Sequence, residues 1–406
     1  MSEVVLDGPM IGWLLIALLP WIVVGAVVTF GIRDPRPLPP VVPGPSPNYG
    51  PPLTVAVIVP ARNEARNIEA CLASLASQEY PSFSVTVVDD RSTDDTGARA
   101  RSVRKGHATA IRVLDGEALP DGWFGKPWAC LQGARYALGE ILLFTDADTR
   151  HDDPRLLARS VQALREDEAQ ALSLIGRQDL NTFWEKLLQP QVFALLGLRF
   201  RRMDRPLERR NSRDAIANGQ YLLVTRSAYE AVGGHAAVKG EVVEDLRMAQ
   251  LLTRADFRLT LRDAMGSFST RMYQSLREII EGWTKNIAVG ARQSAGLWKV
   301  LVLPAIVGFL VLLWMVPPAV LLGSVVRSLA QARAPGLWTV WSGAATLASV
   351  ALWARLYARF EVPFGYVLLF PFGSAMAAFI VLRSWVRGER RIEWKGRRYV
   401  GGKRLD

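Results

Sequence analysis

Hydrophobic positions along the chain change their pattern several times, and each change marks a boundary. Ile11–Gly31 is apolar throughout and carries no charge, a run long enough to cross a bilayer as a helix, which takes about 20 residues. From Leu53 to Asp148 short β-rich runs alternate with helical stretches, which predicts an α/β domain. Leu53–Val59, Ser84–Val88, Ala110–Leu114 and Ile141–Phe144 read as strands; Glu64–Ser77, Asp94–Arg104 and Pro127–Leu138 read as helices. Within Phe183–Arg205 the residues Trp184, Leu187, Leu188, Val192, Leu195 and Leu196 recur at helical spacing. Arginines crowd the end of that segment, so a helix lying in a membrane interface is expected, with packing against the domain core as the alternative. Three more apolar stretches follow, Val300–Val326, Leu337–Leu356 and Val362–Leu382.

This pattern divides the chain into an N-terminal anchor (1–33), a proline-rich linker (34–52) and a catalytic domain (53–272). An interfacial segment (273–297), a C-terminal membrane region (298–386) and a basic tail (387–406) complete it. The first apolar run is no signal peptide, because its start is acidic (Glu3, Asp7) and it exceeds the usual h-region of about 7–15 residues. Arg33 and Arg36 just after it place the domain in the cytoplasm by the positive-inside rule, as expected of an integral protein of a bacterial plasma membrane. Three spans after that domain would carry the tail to the far side, against the same rule. Either one stretch is re-entrant or Val300–Val326 is a hairpin broken at Pro317–Pro318.

The formal charge of +11 changes the picture only modestly. Its arginines gather beside apolar segments, at Arg199, Arg201, Arg202 and Arg205 and in the tail from Arg383 to Arg404, which favours acidic lipid and anionic substrate over nucleic acid. Cys71 and Cys130 are too few for a disulfide framework or a zinc site.

Candidate chemistry sits where the strands end. Thr145-Asp146-Ala147-Asp148 follows a strand directly, and two carboxylates so spaced can hold a divalent cation that bridges a diphosphate; an acidic pair that merely solvates a turn is the plain alternative. Asp89 and Asp90 end another strand, suited to a nucleobase and ribose, while Ser92, Thr93 and Asp94 suit an Asx turn capping the next helix. Pro60, Arg62, Asn63 and Glu64 close the first strand in the same manner. Lys126, near a helix start, could meet diphosphate oxygens, although no Walker loop surrounds it. Asp245, with Glu244 beside it, is the expected general base, against the alternative of acids dressing a helix N-terminus.

Pro60–Glu64, Val88–Thr96, Asp146–Asp148, Asn218-Gly219-Gln220 with Gly233-Gly234-His235, and Glu244-Asp245 resemble, in that order, the family 2 glycosyltransferases of the GT-A fold. The resemblance covers about Leu53 to Asn286. It implies a Rossmann-like mixed sheet, a nucleotide-diphosphate sugar donor, and Mg2+ or Mn2+ near Asp146 and Asp148. It also implies base and ribose contacts from Glu64 and Asp90, an acceptor side at Asn218, Gly219 and Gln220, and inversion with Asp245 as base. A uridine donor is expected ahead of a guanosine one, though no residue separates them. Phe183–Pro190, Glu281–Asn286 and Glu393–Arg397 look most like the membrane enzymes that glycosylate carotenoids, of the 4,4'-diaponeurosporenoate type, and the chain is also similar to ceramide and hopanoid-associated relatives.

The resemblance therefore implies transfer to a hydroxyl or carboxyl group of a membrane lipid. Sphingolipid, hopanoid or polyprenyl phosphate acceptors, and a catalytically silent membrane scaffold, are the alternatives. One departure is plain: Gln274-Ser275-Leu276-Arg277 is followed by Glu278 where processive synthases carry tryptophan. Trp283 and Lys285 are the candidates to stand in, the one by a face offered to sugar or lipid, the other by charge near the diphosphate.

Overall fold

The computed structural model describes residues 8–40, 51–208, 212, 214–295, 301, 303–332, 336–387, 392–394, 397–400 and 403–404. Most of the linker (41–50), Glu3 and Asp7, and the tail positions Arg390, Arg391 and Lys395 lie outside them.

The catalytic domain is one mixed sheet covered on both faces. In chain order its strands are β1 (Arg36–Pro37), β2 (Val55–Ala61), β3 (Phe83–Asp89), β4 (Ile111–Asp115) and β5 (Ile141–Thr145). After the two-residue β6 (Thr149–Arg150) come β7 (Ala171–Ile175), the short β8 (Arg177–Gln178), β9 (Tyr221–Thr225), β10 (Leu259–Asp263) and β11 (Ser269–Thr270). The spatial order is β1-β10-β7-β9-β5-β2-β3-β4, all parallel except β9, which runs against both β5 and β7. Strands buried on both sides need apolar residues at every position rather than at alternate ones, which is why Val55–Val59 reads as an unbroken apolar run.

Side-chain alternation divides the core. Val55, Val57 and Val59 pack toward α2 (Ile68–Ala76), α3 (Thr96–Ser102) and α5 (Leu156–Glu166). Ala56 and Ile58 face α4 (Gly125–Tyr136), α7 (Arg226–Ala231) and α8 (Glu244–Arg254). A Cβ at Gly133 would lie 2.4 Å from Ile58 Cγ2, so only glycine lets α4 seat this closely on the sheet. β6, β8 and β11 form a small second sheet beside the end of β5.

The structure differs from the sequence reading in several places. α2 starts at Ile68, not Glu64; a turn precedes it, in which the Asn67 and Ile68 N–H groups both reach the Glu64 carbonyl at 2.9 Å while Thr96 Oγ1 takes the Glu64 N–H at 2.7 Å. The expected linker supplies β1, whose Arg36 pairs with Asp167 at 2.5 Å. α6 (Phe183–Arg199) stops short of Arg205, and its first half, Leu187–Val192, is buried. It packs on α9 (Leu276–Ala295) and on a C-terminal helix.

Among the described residues, four segments are long and apolar enough to cross a membrane, beginning with α1 (Gly8–Ala26) and its continuation to Gly31. The others are α10 (Leu303–Gln331), α11 (Leu337–Ala358) and α12 (Phe370–Arg387), the last preceded by a 3-10 turn at Phe364–Leu369. Pro317 and Pro318 do not break α10 into a hairpin. A proline removes one ladder bond, and such a loss is tolerated inside a helical bundle. Trp21 of α1 donates to Ser349 of α11 at 3.0 Å, and Tyr357 of α11 donates to the Leu187 carbonyl of α6 at 2.7 Å. The bundle is thereby bolted to the domain. A final antiparallel set, β12 (Ile392–Trp394), β13 (Arg397–Val400) and β14 (Lys403–Arg404), returns to the domain through Arg397.

Candidate active site

The parallel direction of β2, β3 and β5 brings their carboxyl ends to one edge, the place where open α/β sheets bind ligands. The loops after β2 and β3 are knitted to each other. Arg62 Nη1 donates to the carbonyls of Asp90 at 2.6 Å and Arg91 at 2.8 Å, and Asn63 Oδ1 accepts from Thr93 N at 2.8 Å. Asn63 (φ 53°) and Arg91 (φ 55°) both hold left-handed backbone, a conformation that costs on the order of 1 kcal/mol or more for a residue with a side chain and persists where the surroundings over-determine it. Asp89 Oδ1 accepts from Ser92 N at 3.1 Å and Asp94 Oδ1 accepts from Thr96 N at 3.1 Å, the latter being the Asx turn at the start of α3, while Asp90 is left for another partner. That partner is Arg397, whose fork takes both carboxylate oxygens, Nη2 lying 2.9 Å from Oδ1. Burial pushes the Asp90 carboxyl upward and Arg397 pulls against it.

At the end of β5, Thr145 Oγ1 donates to the Gln220 carbonyl at 2.8 Å, fixing the 146–148 turn against the start of β9. Ala147 is buried, so its two acidic neighbours are held in place on either side. The Asp148 carbonyl accepts from Arg271 N at 3.3 Å. Arg271 in turn pairs at 3.0 Å with Glu185, which is 1% exposed and closes the capping box of α6 with Thr182. The N-terminus of α6 is therefore tied to the loop that carries Asp148.

The centre of the site is a charge cluster drawn from four elements. Lys126, in the first turn of α4, lies 2.8 Å from Asp146 and 2.9 Å from Glu244, joining the end of β5 to the start of α8. Asp245 follows Glu244, and its Oδ2 accepts from Gly219 N at 2.7 Å. A Cβ on Gly219 would come within 2.9 Å of Asp245 Oδ2 and 3.0 Å of Lys126 Nζ, so the close approach of both groups needs glycine there. Lys285 of α9 lines the same hollow with Lys126 and Glu244. Burial works against the Lys126 ammonium, but Asp146, Glu244 and Asp245 hold it charged, well above the usual lysine range. Burial and the Glu244 charge together push Asp245 up to about 6, against the pull of Lys126. Lys285 is lowered by burial, and Lys126 lowers it further.

The expected site residues thus separate into groups. Asp146, Glu244, Asp245, Lys126, Lys285 and the Gly219 N–H meet in one hollow, with the Glu64 charge near enough to act on Asp146. Pro60, near the end of β2, carries Arg62 and Asn63 into the turn. The Asn218 side chain donates to the Leu174 carbonyl and to Gln220 Oε1 and accepts from Gln220 N, while the Asn218 backbone N–H donates to Ser173 Oγ, so these residues shape the turn around Gly219. Trp283 offers no open face, since it is buried, donates to Gln189 at 2.9 Å and packs edge-on against Phe193 and Tyr273. Among the described residues no three His, Cys, Asp or Glu form a set able to hold a metal by themselves. Glu185 and Arg397 fall within the stretches Phe183–Pro190 and Glu393–Arg397 that carry the resemblance, but nothing local names a partner for either, and Arg271 was not singled out. Thr182-x-x-Glu185 is a capping-box signature that could have flagged Glu185.

Comparison with known proteins adds to this geometry. Residues 56–232 match the family model described as glycosyl transferase family 2. The 4,4'-diaponeurosporenoate glycosyltransferase of Staphylococcus aureus (strain USA300) is 28% identical over 370 residues, covering 85% of this chain and 88% of its own. Its counterpart from Staphylococcus haemolyticus (strain JCSC1435) is 28% identical over 265 residues, 65% of this chain, and the match spans 66% of that relative's length. Among solved structures, the mannosyltransferase PcManGT from Pyrobaculum calidifontis in complex with GDP-Man and Mn2+ shares 18% identity at a TM-score of 0.49, over 93% of this chain and 96% of that one.

Proposed function

The chain carries a family 2 glycosyltransferase domain, and on that premise we propose that it transfers a sugar, with inversion, from a nucleotide diphosphate to a carotenoid-type lipid. The observation that carries this is the meeting of Asp245 with the Asp146–Lys126–Glu244 cluster at the strand ends. The acceptor oxygen bonds to the anomeric carbon while the bond from that carbon to the diphosphate oxygen breaks, its electron pair leaving with the diphosphate. Asp245, pushed up to about 6 and so mostly ionised at neutrality, takes the proton of an acceptor hydroxyl. Lys126 and Lys285 hold positive charge beside the diphosphate as it departs.

The residues fit a divalent ion. Mg2+ and its like take one or two carboxylates and complete their shell with substrate phosphates, so Asp146 and Asp148 suffice once the donor is bound. The Lys126 ammonium already on Asp146 marks a place set for positive charge. Mg2+ or Mn2+ held there would supply charge opposite the leaving diphosphate.

The acceptor reading rests on the relatives' names and on the bundle. An apolar cavity of about 160 Å3 lies among α1, α6, α10, α11 and α12, lined by Val24, Val28, Leu195, Leu198, Trp314 and Trp353. It gives an apolar chain a path from the bilayer along α6. Large apolar side chains stand exposed on α1, α10 and α11, such as Trp13, Leu322, Leu329 and Leu347. Arg33, Arg201, Arg359, Arg383 and Arg387 collect where the bundle meets the domain, which supports a cytoplasmic domain by the positive-inside rule. The contact of Arg397 with that domain calls for an even number of crossings after α9. α12, fastened to Glu281 and Thr284 of α9, is then the re-entrant arm.

The test is an assay of detergent-purified protein with UDP- and GDP-sugars, Mn2+ or Mg2+, and carotenoid acids or alcohols as acceptors, read by mass spectrometry. A glycosylated carotenoid whose formation EDTA abolishes is expected. Products formed only on polyprenyl phosphate, sphingolipid or hopanoid, or no transfer at all, would overturn the assignment.

A further inference from the structure

The two acids of the 146–148 turn are held from different directions. Asp146 meets Lys126 at 2.8 Å, and Lys126 belongs to α4, which is packed on the sheet. Asp148 is held through its backbone instead: its carbonyl accepts from Arg271 N and from Thr270 Oγ1, both at 3.3 Å. The Arg271 guanidinium lies on Glu185, with Nε 3.0 Å from Oε1 and Nη2 3.3 Å from Oε2. Glu185 is sealed from water and also accepts from Thr182 N at 2.6 Å and Asn181 N at 3.2 Å. A capping box needs only the Thr182 and Glu185 side chains and the backbone N–H groups they serve. Burying the carboxylate and setting a guanidinium fork on it adds a desolvation cost that a helix start does not require; what it gains is a fixed plane and direction.

The small second sheet brings these residues together. β6 runs on from the Asp148 turn, β8 leads into α6 and β11 leads into α9, with Ser269 of β11 paired to both Arg150 and Arg177. Arg271, the residue after β11, reaches from this joint to the start of α6. Farther along, α6 is fixed to the bundle through Tyr357 and Ser374. The position of Asp146 is thus referred to α4, and that of Asp148 to α6.

We propose that Arg271 is a positioning residue for the divalent cation of the donor: by fastening the Asp148 turn to the sealed cap of α6, it sets Asp148 against Asp146 and so fixes how tightly the pair grips a cation that carries a diphosphate. This rests on the reading of the hollow as a nucleotide-sugar site. Mg2+ demands near-ideal octahedral geometry, so a turn free to shift against Asp146 holds it less well. Arg271 acts only through Asp148.

The test uses the full-length protein in detergent and reads binding rather than turnover. Calorimetric titration of UDP and GDP at a series of fixed Mg2+ concentrations gives the Mg2+ concentration at which nucleotide affinity reaches half its gain. Arg271→Ala should raise that concentration about tenfold, the lower end of what removing a partner that orients a metal ligand costs, while nucleotide affinity in EDTA stays the same. Arg271→Lys should recover only part of the loss, because an ammonium cannot fork. Glu185→Gln should shift the requirement in the same direction as Arg271→Ala. In an Asp148→Asn background Arg271→Ala should raise it no further, as expected of two residues acting as a unit. A lowered thermal midpoint accompanies Arg271→Ala whatever the pair does, so the Mg2+ requirement decides. An unchanged requirement would make the pair a mere fastening and overturn the proposal. An equal rise in the Asp148→Asn background would overturn it too, since Arg271 would then act elsewhere. If the unaltered protein binds neither nucleotide with Mg2+ or Mn2+, the nucleotide-sugar reading itself falls, and the proposal with it.

Discussion

At the end of β3 Asp90 meets Arg397, one carboxylate against one guanidinium, both nearly sealed from water. Between the end of β5 and the start of α8, Asp146, Glu244 and Asp245 crowd around Lys126, with Lys285 beside them. The first arrangement is matched in charge and rigid. The second holds more acid than base, and its strain shows in Asp245, pushed up to about 6 by burial and by Glu244. A matched pair suits a joint that must only hold. An unmatched cluster suits one that must accept a cation and then a proton.

The comparison breaks hardest at Asp245. Asp245→Asn should cut kcat by about 10^2–10^4-fold, the usual worth of a general base, while UDP or GDP affinity stays near that of the unaltered protein. Retained turnover would point to an acceptor that arrives already ionised.

Lys126→Ala should come next. It leaves Asp146 and Glu244 without their shared cation and should cost about 2–4 kcal/mol of stability, less than a fully buried pair because both Lys126 and Asp146 keep some exposure. Lys126→Arg should restore most of the midpoint in a thermal melt. Arg271→Ala is expected to be milder, about 1–3 kcal/mol, because Glu185 keeps its Thr182 cap partners after losing the guanidinium. The same melt measures it.

The smallest effect is in pH. Asp245 acts as base only when ionised, so turnover should fall about tenfold per unit below pH 6 and level off above it. Glu244, Lys126 and Lys285 all face it. Removing one positive charge by Lys285→Met should move that limb to higher pH in a rate profile.

Much of this could be read from the residues alone, and for a physical reason. Strands buried on both faces must be apolar throughout, so Val55–Val59 and Ile141–Phe144 announce themselves, and the carboxylates at their ends stand out by contrast. What could not be read was which charges meet across the chain. Lys126 was placed near a diphosphate by its position at a helix start, but its carboxylate partners come from β5 and α8, brought together only by the fold. Arg397 was visible as the last residue of the stretch Glu393–Arg397 and as one arginine in a basic tail, but nothing local points to Asp90 as its partner. Trp283 looked like an interfacial aromatic with a face to give, and burial by α6 was invisible until α6 itself was placed. The start of α2 was placed four residues early, because the turn before it is held by Ser92 and Thr96 of another loop, contacts that no local pattern shows.

α6 is capped at the Asp148 loop through Glu185 and Arg271, and farther along it is pinned to Tyr357 and Ser374 of the helical bundle. Helices that meet a bilayer tilt to match its hydrocarbon thickness. Any such tilt would be carried along α6 as a lever arm. Acyl-chain length in a reconstituted vesicle therefore becomes a variable of turnover, to be chosen as deliberately as the sugar donor.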